Sequence, residues 1–329
     1  MYHRVSRAVG ALALSIAALA PVHHAAAADS YPDRPIRLVI PYAPGGSLDP
    51  IGRVLSERLA QRLGQPVVVE NLTGANGMVG TAKVVSAKPD GYTLLVGITS
   101  NVSLAPLVAA SPSYKATDLD AIGKVGTSGL VLLARPDLKV DTLADVLKLA
   151  RDKPGSLSYG IPGSGSLFHL VMEKIKADAG VDIAAIPYRG AGQASTDLMG
   201  GQIDLALLGL PAMLPHIAAK KLNALAVTSA TPDIGNPAIP VAAKTAGLQG
   251  IDYTIWTGLF APKGTPAPIK ERLNTELRAI LAEPAIVETY RKMGVEVAAP
   301  QSVAEFSTFV ANDTERLRKD IQQTKFQPE

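Results

Sequence analysis

The sequence predicts an α/β protein of two lobes, each a mostly parallel sheet flanked by helices. Three observations predict it. Short apolar runs of strand length alternate with amphipathic helical runs, the rhythm of an open α/β sheet. One local device, a strand running through a Gly/Pro/Ser loop into a helix start, occurs in each half, at Pro41–Asp49 and Gly160–Ser166. The 329-residue chain is also longer than one hydrophobic core usually serves.

Residues 1–28 read as a secretory signal rather than as part of the fold. Arg4 and Arg7 precede the apolar stretch Ala8 to Ala20, and Ala26-Ala27-Ala28 offers small-residue cleavage sites before Asp29. The stretch is too short for a membrane span. The chain is therefore expected in the periplasm of a Gram-negative host. The leader holds two arginines and no acid, so the net charge of +3 falls to about +1 on processing, 30 basic against 29 acidic residues. No basic run is interleaved with aromatics, which argues against a nucleic-acid partner. With no cysteine there is neither a lipid attachment site nor a disulfide framework.

The opening strand is Ile36 to Ile40. A helix follows from roughly Pro50 to Leu63, with Ile51, Val54, Leu55, Leu59 and Leu63 on one face and Gly64 as its stop. Pro66–Glu70 is a buried-type strand, Asn71–Gly77 a second small-residue loop, Met78–Lys88 a helix and Tyr92–Val96 a strand. Right-handed crossovers place the loops after these strands on one edge, where such sheets bind ligands. The second block holds strands at Leu130–Ala134, Leu157–Tyr159, Ile183–Pro187, Ile203–Leu208 and Leu222–Val227. Asp141 or Thr142 caps one of its helices, Ser164 or Ser166 another, and Gly180 ends the latter. A strand at Thr257–Ala261 and helices at 266–282, 285–293 and 303–325 return to cover the first block. The expected domains are 29–127 plus 252–329 and 128–251, with a ligand cleft between them.

The opening strand breaks at Pro41, Pro44, Gly45 and Gly46, and the chain restarts as a helix at Asp49-Pro50. Asp at the N-cap and Pro at N1 form a strong helix start, since Pro lacks only an N–H that would be orphaned anyway. Unpaired N–H groups and the positive helix end would face whatever lies above the loop, most simply a carboxylate or phosphate. A tight turn that holds nothing is the competing reading of this stretch alone. The matching loop at Gly160–Ser166 favours two facing anion cradles and a clamshell.

The remaining chemistry is sparse. Only His169 and His216 lie beyond the leader, so a zinc site would need several carboxylates. Gly163-Ser-Gly165 contains G-x-G, but Phe168 stands where a dinucleotide loop needs its third glycine. Ser166 and His169 have helical i, i+3 spacing, which leaves a secreted hydrolase as an alternative, though no orienting third group or oxyanion hole is evident. His169 otherwise reads as a polar lining or loop-bracing residue. Trp256, the single Trp, reads as a core anchor or a lobe-to-lobe packing residue.

Several segments resemble the Bug family of periplasmic solute receptors, the binding components related to tripartite tricarboxylate transporters. They are Tyr31-Pro-x-Arg-Pro-Ile-Arg-Leu-Val-Ile-Pro-Tyr-Ala-Pro-Gly-Gly46, Gly64-Gln-Pro-Val-Val-Val-Glu-Asn71 and Lys88-Pro-Asp-Gly-Tyr-Thr-Leu-Leu95 in the first block. Tyr159-Gly-x-Pro-Gly-Ser-Gly-Ser166, Ile186-Pro-Tyr-Arg-Gly190, Gly201-Gln-Ile-Asp-Leu205, Ala224-Leu-Ala-Val-Thr-Ser229 and Gly258-Leu-Phe-Ala-Pro262 continue the series. The resemblance implies a two-lobed, Venus-flytrap receptor without catalysis or cofactor, monomeric, serving membrane transporter subunits or a sensor protein. It implies a carboxylate ligand gripped by two loops, here Tyr42, Ala43, Gly45, Gly46, Ser47, Leu48 and Asp49 against Pro162, Gly163, Ser164, Gly165 and Ser166. The serines would donate to the carboxylate or its waters, the glycines would allow close approach, and Asp49 would serve as helix cap first and ligand neighbour second. His169, Tyr188 and Gly209 complete the candidate set, and Arg189 reads either as a long-range supplement or as a solvated or structural residue. The family usually has Thr where Leu48 stands and often Asp-Asn where Leu208-Gly209 stand. These departures imply a less polar pocket and an organic carboxylate, aromatic or dicarboxylic, rather than an amino acid.

Overall fold

The computed structural model describes residues 31–324 and 326, and the predicted signal segment lies outside them. The first parallel triplet is built from β1 (Ile36–Ile40), α1 (Leu48–Leu63), β2 (Val67–Asn71), α2 (Met78–Val85) and β3 (Thr93–Ile98). β1 lies between its neighbours, with Leu38 opposite both Val69 and Leu94. Leu38, Val39 and Ile40 are fully buried, as are Leu55 and Leu59 on the inward stripe of α1. Gly64 ends α1 in the left-handed region at φ 70°, with its N–H donating to Ala60 O.

The N-terminus of α1 differs from the sequence expectation. The helix starts at Leu48 with Ser47 at the N-cap, so Asp49 lies inside the first turn. The reason is that the Asp49 carboxylate is already engaged, by Arg53 Nε at 3.0 Å and Asn71 Nδ2 at 3.0 Å. In the second block the caps are as expected. Thr142 accepts from Asp145 N at 3.2 Å in a capping box, Ser166 caps the helix Leu167–Ala179, and Gly180 ends that helix at φ 62°.

A π-turn at Ser100–Leu104 and the short α3 (Ala105–Val108) lead into β4 (Leu119–Ala134). There follow α4 (Leu143–Asp152), β5 (Ser158–Ile161), α5 (Leu167–Ala179), β6 (Ala184–Pro187), α6 (Ala191–Met199) and β7 (Leu205–Gly209). The chain continues through α7 (Leu210–Ala218), β8 (Asn223–Val227), β9 (Thr254–Pro262), α8 (Ala267–Leu281), α9 (Pro284–Lys292), β10 (Val295–Val297) and α10 (Val303–Thr324).

Strand order is β2-β1-β3-β9-β4-β7-β5-β6, with β10 and β8 also paired to β4. The outer triplets are parallel; β9 and β4 join them through antiparallel pairs. The 16-residue β4 joins the two halves of the sheet. Its stretch from Leu119 to Gly129 pairs with β9, and Leu130 to Ala134 pairs with β7 and β8. Only that second stretch was expected from sequence. The first carries Gly123, Gly126 and Gly129 and two register shifts, so no apolar run or clean alternation announces it.

Trp256 on β9 anchors the first lobe's core. Its ring meets Phe306 and Phe309 of α10 edge-on at 6.0 Å, and its Nε1 donates to Asp313 at 2.7 Å. Phe306 in turn lies over Gly258, where an added Cβ would come 2.4 Å from Phe306 Cζ. Gly258→Ala therefore forces this aromatic layer apart. Such overpacking costs about 1–3 kcal/mol, read as a lower urea midpoint at unchanged far-UV circular dichroism.

Candidate functional site

The loops after β1 and β5 face each other across a cleft of about 620 Å3. From the first loop Tyr42, Ala43, Gly46, Ser47 and Leu48 line it, and from the second Pro162 and Gly163. Tyr188 and Gly209, also expected, line it as well. The other candidates stand behind these walls. Gly45, at φ 82°, makes the tight turn of the first loop and donates its N–H to Asp49 Oδ2 at 3.5 Å. Asp49 is buried, and although burial opposes its charge, hydrogen bonds from Arg53 and Asn71 hold its carboxyl below the ordinary value. It ties loop, helix and β2 together rather than facing the cleft.

Ser166 is fully buried and closes the second loop on itself, donating to Gly163 O at 2.7 Å while accepting from His169 N. Gly165 donates its N–H to His169 Nδ1 at 3.4 Å, so the imidazole braces the loop from behind. Ser164, partly buried, does not line the cleft. The His169 ring also packs edge-on against Phe326 at 4.8 Å. Its Nδ1 is directed at a backbone amide, so Ser166 and His169 do not form the nucleophile–base pair of a hydrolase. Among the described residues no group of His, Asp and Glu could hold a metal ion.

Several cleft residues were not expected. The loop after β2 contributes Thr73 to Gly77, and the turn into α6 contributes Gly190 to Gln193 beside Arg189, which the sequence left open between a ligand supplement and a solvated residue. Ala75 and Asn76 both have positive φ, 45° and 51°, between Gly74 and Gly77. The hydroxyl of Tyr42 holds this bend by donating to Asn76 O at 3.2 Å, and burial raises its pKa well above the usual tyrosine value, so it stays a donor. The floor is Ile98, Ser128, Ile255 and Thr257, from β3, β4 and β9. The small-residue loop was visible in the sequence; the floor had no signal, because it depends on the unannounced pairing of β4 with β9.

No acidic side chain lines the cleft, and Arg189 is the one charged side chain that does, among the described residues. Arg189 is exposed and makes no ion pair there. Much of the remaining wall is apolar or glycine, including Leu48, Ile51, Phe168 and Ile255. Two hydrogen bonds join the lobes beside the cleft. Ser47 Oγ donates to Gly209 O at 3.4 Å, and Leu167 N, at the start of α5, donates to Ser100 Oγ at 3.3 Å.

Two lobes joined by crossing strands, with strand–loop–helix starts facing across a cleft, have the architecture of a two-lobed solute-binding receptor. Comparison with known proteins narrows the class. Residues 51–326 match the model of the tripartite tricarboxylate transporter family receptor, and the chain belongs to that family. Protein BugT of Bordetella pertussis is 35% identical over 326 residues, covering 98% of this chain and 97% of BugT. The structure of R. palustris Rpa4515 with adipate superposes with a TM-score of 0.87 at 30% identity, covering 91% of this chain and 100% of that one. Periplasmic binding protein BugD gives a TM-score of 0.85 at 31% identity, with 91% and 100% covered.

A Cβ on Gly209 would lie 2.5 Å from Ser47 Oγ. Gly209→Val should therefore hold the lobes apart, enlarging the radius of gyration in X-ray scattering with little change in melting temperature. For His169, burial lowers the pKa below 6.5, Glu173 opposing and Lys176 adding to the shift. A histidine whose folded pKa is depressed contributes full stability above its unfolded value and loses it as pH falls. Melting temperature should fall as pH drops below about 6.5, and His169→Gln should flatten that part of the profile.

Proposed function

We propose that this chain is a periplasmic receptor that captures a small organic carboxylate and presents it to membrane subunits of a tripartite tricarboxylate-type transporter. The observation that carries the reading is the pair of opposed strand–loop–helix starts on a cleft without an acidic wall. Backbone N–H groups of such loops suit a carboxylate without a dedicated arginine. An amino acid brings an ammonium group as well, and this cleft offers it no carboxylate partner. The wall of Leu48, Ile51 and Phe168 suits a hydrocarbon or aromatic skeleton. The bound adipate of Rpa4515 supports the same class, a carboxylate at the end of an apolar chain.

Arg189 lies on the turn leading into α6, whose first residues also line the cleft. In this reading it meets a second carboxylate, which makes dicarboxylates the preferred ligands. Residues 29–127 with 252–329 form one jaw and 128–251 the other, and the monomer is the working unit. A ligand touching both jaws favours the closed arrangement by its extra contacts there. The Ser47–Gly209 and Leu167–Ser100 hydrogen bonds belong to that closed arrangement. The predicted signal segment accounts for export.

Titration calorimetry with a carboxylate panel tests the reading. Adipate, succinate and benzoate are the expected class of ligand, with aspartate and glutamate not bound. Arg189→Met should weaken adipate by about tenfold, the worth of one charge-assisted hydrogen bond, and leave hexanoate unchanged. Binding confined to amino acids would sink the proposal.

A further inference from the structure

The two strands that join the lobes also carry the floor of the cleft. Ser128 of β4 stands opposite Ile255 of β9, and Gly126 opposite Thr257. Because side chains alternate along a strand, Ser128 and Thr257 share one face as diagonal neighbours. That face is turned to the cleft, with Ile98 of β3, the other partner of Thr257, beside them.

Ser128 is 6% exposed and Thr257 is 2% exposed, yet among the described residues neither hydroxyl has a hydrogen-bond partner. Both line the cleft instead of being sealed behind it. Other buried hydroxyls nearby are engaged: Thr81 donates to Gly77 O, Thr228 to Tyr253 O, and Thr99 accepts from Trp256 N. Buried polar groups normally find partners. Two that do not, side by side on the floor of a binding cleft, are placed for a ligand.

We infer that Ser128 and Thr257 form a polar subsite that reads an uncharged oxygen, a hydroxyl or carbonyl, on the carbon skeleton of the ligand. This rests on the carboxylate-receptor reading and adds to it the class of substituent. A hydroxyl both donates and accepts, so a pair of them satisfies a ligand hydroxyl or carbonyl. Their neighbours Ile98 and Ile255 are apolar and no cation stands at the floor, so a buried carboxylate would be poorly compensated there. The carboxylates of the ligand belong at the loops and at Arg189, and the oxygen between them at the floor. Ser128 and Thr257 are held beside each other by the β4–β9 ladder where the two jaws meet, so their spacing is fixed by backbone pairing. The pair therefore sets selectivity.

The test uses matched acids that differ by one oxygen function: succinate and malate, glutarate and 2-oxoglutarate, benzoate and 4-hydroxybenzoate. Each is titrated calorimetrically into the wild type, Ser128→Ala and Thr257→Val. The wild type should bind the oxygenated member of at least one pair about tenfold more tightly, the scale of one hydrogen bond. Either substitution should bring that ratio toward one, while affinity for the plain member and the melting temperature stay put. Mere loosening of the floor would weaken both members together and leave the ratio unchanged, which would overturn the subsite. So would a wild type that binds without discriminating within any pair. Failure of all six acids to bind would overturn the carboxylate reading itself and the subsite with it.

Discussion

The antiparallel ladder between β4 and β9 is the constraint on which the rest of the molecule depends. It runs from Leu119 opposite Pro262 to Gly129 opposite Thr254, and it lies between the two parallel triplets. Past Gly129 the same strand continues to β7 and β8, so one backbone carries hydrogen bonds of both lobes. The return path is tied equally closely, since Thr228 N donates to Leu130 O and Tyr253 N to Thr228 O. Any relative movement of the lobes has to be absorbed within these few residues, and the ladder fixes which side chains face the cleft from below.

The division of labour within the two loops follows from their local chemistry. Residues that make the loops' shape are turned away from the cleft: Asp49 holds Arg53 and Asn71, Ser166 closes on Gly163, and His169 supports Gly165. What remains facing inward is backbone, small side chains and apolar surface. A carboxylate or imidazole facing the cleft would add a titrating charge to a wall that otherwise presents backbone, hydroxyls and apolar surface. Spending the ionisable groups on bracing keeps the inward surface neutral apart from Arg189.

Much of this was legible in the chain itself. Gly64 and Gly180 end their helices in the left-handed region, Thr142 and Ser166 cap theirs, and both cradle loops lie where glycine and proline break a strand. These signals are local, set by the conformational freedom of one residue or the reach of one hydroxyl. Asp49 misled because its sequence context describes a cap, whereas its partner Asn71 lies 22 positions away. The floor was illegible for the same reason at larger scale. Ser128 and Thr257 become neighbours only through a bulged ladder between segments that no periodicity marks. Long-range pairing decided those contacts, and a single sequence carries little record of it.

The first parallel triplet is completed by strands and helices from the far end of the chain, and this bears on the order in which the chain can fold. β5 to β8 and the last five residues of β4 pair among themselves between Leu130 and Val227, apart from one bridge from Val227 to Val241. That stretch can condense before the C-terminal part of the chain is in place. β3, by contrast, waits for β9, and Trp256 waits for Phe306, Phe309 and Asp313 on the last helix. The triplet whose strands come first in the chain is therefore completed last, and until α10 arrives the apolar face around Trp256 stays uncovered.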